Sequence, residues 1–84
     1  MTHPGAMIAE WLSESGRSQT WLAQRVGISP KHLNRLVFGF SLYSAHTALA
    51  LARVTGIDAR IWMQWKTDYE LSQAATPSDG EADT

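Results

Sequence analysis

Residues 18–39 read SQTWLAQRVGISPKHLNRLVFG, and their punctuation decides the fold. Ser18 is placed to cap a helix, because its hydroxyl can satisfy a free backbone N–H. Leu22, Ala23 and Val26 then recur at helical spacing and give that helix one buried face. Gly27 stands where the chain must reverse, and glycine takes positive φ without a Cβ clash. Ser29-Pro30 follows as a second N-cap with a proline suited to the first helical position. Leu33, Leu36 and Val37 supply the inner face of this second helix, and Gly39 closes it. Small Ala23 faces the partner helix at the point of closest approach.

Two short helices joined by such a turn form the pattern of a helix-turn-helix. With Leu33, Leu36 and Val37 inside, Lys31, His32, Asn34 and Arg35 lie on the outer side of the second helix. Arg and Asn can make bidentate hydrogen bonds to guanine and adenine edges in a major groove wide enough to admit a helix. Gln19 and Thr20 open the first helix, where free N–H groups and the helix dipole favour a phosphate. A structural helix pair with a merely solvated outer face is the alternative.

The rest of the chain supplies a covering. Residues 1–5 have little to fold around and are expected to be loose. From about Ala6, Met7, Ile8, Trp11 and Leu12 share one face of a helix ending at Ser15-Gly16. Ser44 can cap AHTALALARVTG, where Ala48, Leu49, Ala52 and Leu51 provide a buried stripe before Gly56. Asp58 caps a last helix from about Ala59 to Ala74. Its Ile61, Trp62, Trp65 and Tyr69 make an apolar surface too broad for one small bundle, so one side is expected inward and the other in a twofold dimer contact. One domain is thus expected over residues 6–75, followed by an acidic, disordered tail at 76–84.

Two places break the pattern. Trp21 sits at the edge of the inward face, either capping the core rim or anchoring a partner surface. The segment 38–43, FGFSLY, puts Phe38, Phe40, Leu42 and Tyr43 beside the outer helix, where Lys or Arg would better suit a DNA backbone. Either some of these residues fold into the core, or they form an apolar patch that meets another protein.

Composition sets the bounds. A chain of 84 residues makes one small domain, burying about 60–65% of its unfolded surface, and dimerisation would help it. It has no cysteine, hence no disulfide frame and no thiolate metal site. No stretch suits a signal peptide or a membrane span, so a cytoplasmic protein is expected. The net charge is −1, yet residues 17–60 hold six basic side chains against the single acid Asp58, a local +5. That block suits phosphates, with weak non-specific binding that depends strongly on salt. No metal site is expected, because His3, His32 and His46 lack ligand spacing. No cofactor loop or catalytic constellation appears, so no enzyme is expected.

The His3-Pro4-Gly5 opening, the SQTWLAQRVGIS run, ALALARVTG and the IWMQWKTDYEL ending together resemble the HigA family of antitoxins. That family lies among the lambda-repressor-like, or XRE-type, helix-turn-helix proteins. The similarity runs through residues 3–74 in unbroken order. It implies an all-α, five-helix lambda-repressor-like DNA-binding domain that dimerises through its C-terminal region on a palindromic double-stranded operator. It also implies repression of its own operon and neutralisation of a RelE-like, mRNA-cleaving toxin. Carried onto this chain, Gln19 and Thr20 would clamp phosphate. Ser29, Lys31, Asn34 and Arg35 would face the groove, and Ile61, Trp62, Trp65 and Tyr69 would combine core and dimer roles. Trp21 and FGFSLY depart from the polar residues usual at those places. They keep alive a protein-interaction module of the same fold, with Trp21, Phe40, Leu42 and Tyr43 as its surface, or a stand-alone regulator without a toxin.

Overall fold

A computed structural model describes residues 2–75, and among them every regular element is helical. The order is α1 (Gly5–Ser15), α2 (Gln19–Val26), α3 (Pro30–Val37), α4 (Ala45–Thr55) and α5 (Ala59–Ala75). Three of these helices start on a serine. The hydroxyls of Ser18, Ser29 and Ser44 accept from the N–H groups of Trp21, His32 and Thr47 at 3.0, 3.0 and 3.3 Å. Each such cap contributes about 1 kcal/mol. Asp58 Oδ1 does the same for α5, accepting from the Arg60 N–H at 2.7 Å. Between α2 and α3, Gly27 lies at φ 91°, and its N–H donates to the Ala23 carbonyl at 2.9 Å. The turn is therefore built where the sequence places it.

The core forms where α2 packs on α3 and α4, with α5 against α4 and α1 against α3. Leu22, Ala23, Leu33, Leu36, Ala48, Leu51 and Trp62 are all buried there, joined by Ile8 and Tyr43. Burying each leucine or isoleucine stabilises the domain by about 1.5–3 kcal/mol before entropy is charged against it. Ala23 is fully buried between helices, as its small size predicts.

Four expectations change. The N-terminus is not loose up to residue 5, because Pro4 and Gly5 are buried. A Cβ built on Gly5 would come within 1.6 Å of the Leu36 carbonyl oxygen, so α1 begins directly against the end of α3. Leu49 is 55% exposed rather than part of the α4 stripe. Packing on both α2 and α5 turns α4 so that Thr47, Ala48, Ala50 and Leu51 face inward instead. Tyr43 is buried and donates its hydroxyl to the Trp62 carbonyl, which removes it from any partner surface. Trp62 is itself fully buried, edge-on to Tyr43 with ring centroids 5.8 Å apart. It belongs to the core of its own domain and is not available as a dimer contact. The acidic tail at 76–84 lies outside the described residues.

Candidate nucleic-acid interface

Helix α3 divides cleanly. Leu33, Leu36 and Val37 are buried, while Lys31, His32, Asn34 and Arg35 are exposed on the other side. The division follows from eight residues whose apolar positions fall only on one stripe. Pro30 occupies the first turn, where it forfeits no helical hydrogen bond. Ser29, also expected at the interface, is exposed, with its oxygen engaged as the cap.

The two helices are tied at this surface as well as beneath it. Asn34 Nδ2 donates to Gln19 Oε1 at 3.3 Å. A residue expected at a base edge and one expected at a phosphate are therefore neighbours. Thr20 is exposed beside Gln19. Ser18 engages the N–H of Trp21, so the N–H groups of Gln19 and Thr20 stand at the open end of α2. An open end of this kind favours an anion.

Arg35 is held from one side. Its Nε donates to Ser41 Oγ at 3.3 Å, and its guanidinium carbon lies 5.8 Å from the centre of the Phe40 ring. On α2, Trp21 is half-buried and stacks on Trp11 with centroids 6.2 Å apart and planes at 19°. The guanidinium carbons of Arg17 and Arg25 lie 4.5 and 5.2 Å from the Trp21 ring centre. Sequence reasoning did not single out Arg17 or Arg25 as site residues. For Arg25 the available signal was its place four residues after Trp21 on α2, since such residues share a helical face. Arg17 precedes the Ser18 cap, and no helical spacing points to it.

Of the remaining residues singled out, Phe40 is 72% exposed and Leu42 half-buried, and on α5 Ile61 is exposed, while Trp65 and Tyr69 are half-buried. Trp65 packs edge-on to Trp62 at 5.0 Å, and Tyr69 sits edge-on to His3 at 6.5 Å. Burial pushes the Tyr43 phenol far above the ordinary tyrosine range, so it stays protonated as a donor. Among the described residues, no three His, Cys, Asp or Glu side chains converge to hold a metal ion, and no helix is long and apolar enough to cross a membrane.

This geometry has close relatives. Residues 8–62 match the model of a family described as Helix-turn-helix. The chain is 37% identical over 73 residues to Virulence-associated protein I of Dichelobacter nodosus, covering 86% of this chain and 68% of that protein. It is also similar to the crystal structure of PA4674 from Pseudomonas aeruginosa in complex with its 28-bp operator DNA. There the TM-score is 0.84 at 29% identity, over 88% of this chain and 82% of that one. The all-α domain accordingly has the lambda-repressor-like fold. By the extent of these matches, the chain belongs to the helix-turn-helix family.

Proposed function

We propose that the protein is a sequence-specific DNA-binding transcriptional repressor that lays α3 in the major groove of a palindromic operator. The observation that carries this reading is the outer face of α3, where Lys31, Asn34 and Arg35 project beside Gln19 on a stripe free of apolar residues. The operator-bound state of PA4674 supports it, because that protein shares the fold along most of its length. Gln19 and Thr20 contact phosphates, while Ser29, Lys31, Asn34 and Arg35 face the groove, where Asn34 and Arg35 suit base edges. Two copies pair through α5, with Ile61, Trp65 and Tyr69 at the contact.

The test is fluorescence anisotropy with the duplex immediately upstream of the protein's own start codon, against a scrambled duplex, at two salt concentrations. Binding should be tighter on the promoter duplex and weaken as salt rises. Arg35→Ala should cost about 1–3 kcal/mol on the operator and less on the scrambled duplex. Equal losses on both would demote Arg35 to a backbone contact.

We further propose that this repressor is the antitoxin of a HigBA-type pair and neutralises a RelE-like, mRNA-cleaving toxin. The resemblance at both ends of the chain, His3-Pro4-Gly5 and IWMQWKTDYEL, supports this. Co-expression with the product of an adjacent small ribonuclease-like gene should relieve growth arrest. An adjacent product that arrests growth equally with and without this chain would leave a stand-alone regulator.

A further inference from the structure

We infer that the two aromatic residues out of place beside the helix-turn-helix, Phe40 and Trp21, are positioning residues that hold arginines toward DNA. The inference rests on the DNA-binding reading above. Burial does not account for Phe40, which is 72% exposed. The backbone instead delivers it to one side chain. Gly39 turns at φ 83°, and the N–H groups of Phe40 and Ser41 then donate back to the Arg35 carbonyl at 2.9 and 3.3 Å. The fold-back sets the Phe40 ring and the Ser41 hydroxyl against the Arg35 guanidinium. Only Nε is engaged, so the fork of Nη donors is held in place and unspent. Trp21 acts likewise on Arg17 and Arg25, while its stacking on Trp11 ties the ring to α1.

A carboxylate would fix an arginine as well, but it would consume the N–H donors and cancel the charge a phosphate needs. An aromatic face orients the cation and does neither. The chain follows the second course. Asp58 is the single acid in residues 17–60, and among the described residues Arg17, Arg25 and Arg35 form no ion pair. For a protein of net charge −1, this keeps the cations of the interface uncancelled. The two supports then serve different ends. Arg35 is next to Asn34 on the reading helix, so Phe40 and Ser41 govern sequence discrimination. Arg17 directly precedes the Ser18 cap at the open end of α2, so Trp21 governs phosphate contact.

The experiment uses the full chain with promoter and scrambled duplexes. Phe40→Leu keeps apolar bulk and removes the ring. It should lower affinity for the promoter duplex about 2–5-fold and leave the scrambled duplex unchanged, while Phe40→Tyr restores the parent value. In an Arg35→Ala background, Phe40→Leu should cost nothing further. An equal cost in both backgrounds overturns the assignment of Phe40. Trp21→Leu should weaken both duplexes alike and flatten the salt dependence, and parent-like binding and salt slope overturn the assignment of Trp21. Folding of each variant is checked by its helical circular dichroism and thermal melt, while the ring-current shift of the Arg35 Nε–H resonance should vanish in Phe40→Leu and persist in Trp21→Leu. A parent chain that does not distinguish the duplexes refutes the DNA-binding reading, and this inference falls with it.

Discussion

Helices α3 and α5 use their side chains in opposite ways. Helix α3 buries three of its eight residues, whereas α5 buries one of its seventeen, Trp62. The short helix separates apolar from polar so sharply that its sequence declares both its core and its outer face. The long helix spreads Ile61, Trp62, Trp65, Tyr69 and Leu71 more widely, and one domain covers only part of them. Among these, Ile61 and Leu71 remain exposed. A helix with two faces is finished by its own domain. A helix of about 25 Å with apolar residues around much of its girth has surface left over, and the proposed dimer would use it.

The hardest way to break this contrast is at the one α5 residue that behaves like those of α3. Trp62→Ala should cost about 3–5 kcal/mol and unfold much of the population near physiological temperature, as read by denaturant melts. A small loss would mean that α5 is held from outside the domain. Next comes Gly5→Ala, which places a Cβ against the Leu36 carbonyl. The start of α1 must shift from the end of α3, at a cost of about 1–3 kcal/mol. A parent-like melting curve would show that α1 docks more loosely than this.

Tyr43→Phe is gentler. Losing the hydrogen bond to the Trp62 carbonyl should cost about 1 kcal/mol at neutral pH. Its pH dependence has a definite sign. The folded-state pKa of Tyr43 is raised by burial, so its contribution is full below the unfolded value of about 10 and is lost as pH rises above it. Alkaline melts of the parent should therefore weaken more steeply than those of Tyr43→Phe. Smallest of all, Leu71→Ala should change monomer stability by less than about 0.5 kcal/mol. A clear loss that grows with protein concentration and fades on dilution would instead place Leu71 in the dimer contact.

The helix starts were legible because a cap is a local event. Ser18, Ser29 and Ser44 each meet an N–H three residues on, and no distant residue enters that choice. The outer face of α3 was legible for the same reason, since its apolar stripe leaves Lys31, Asn34 and Arg35 nowhere else to point. Among the candidate interface residues, the sequence also offered Gln19, but not its bond to Asn34 across fifteen positions.

Burial at the edges was another matter. Leu49 and Leu51 are the same residue type two positions apart on α4, yet only Leu51 is inside. Periodicity drew a stripe through both, and the two neighbours of α4 decided which side it was. In FGFSLY the sequence could not say which aromatic would go in. Tyr43 is buried because its hydroxyl finds the Trp62 carbonyl across nineteen positions, and Phe40 stays out beside Arg35. His3-Pro4-Gly5 looked too short to pack, and it packs because α3 ends where α1 begins. What the sequence determined by itself were interactions closed within one helical turn. What only the tertiary structure decided were partners brought together by the chain's return, whose geometry depends on all five helices at once.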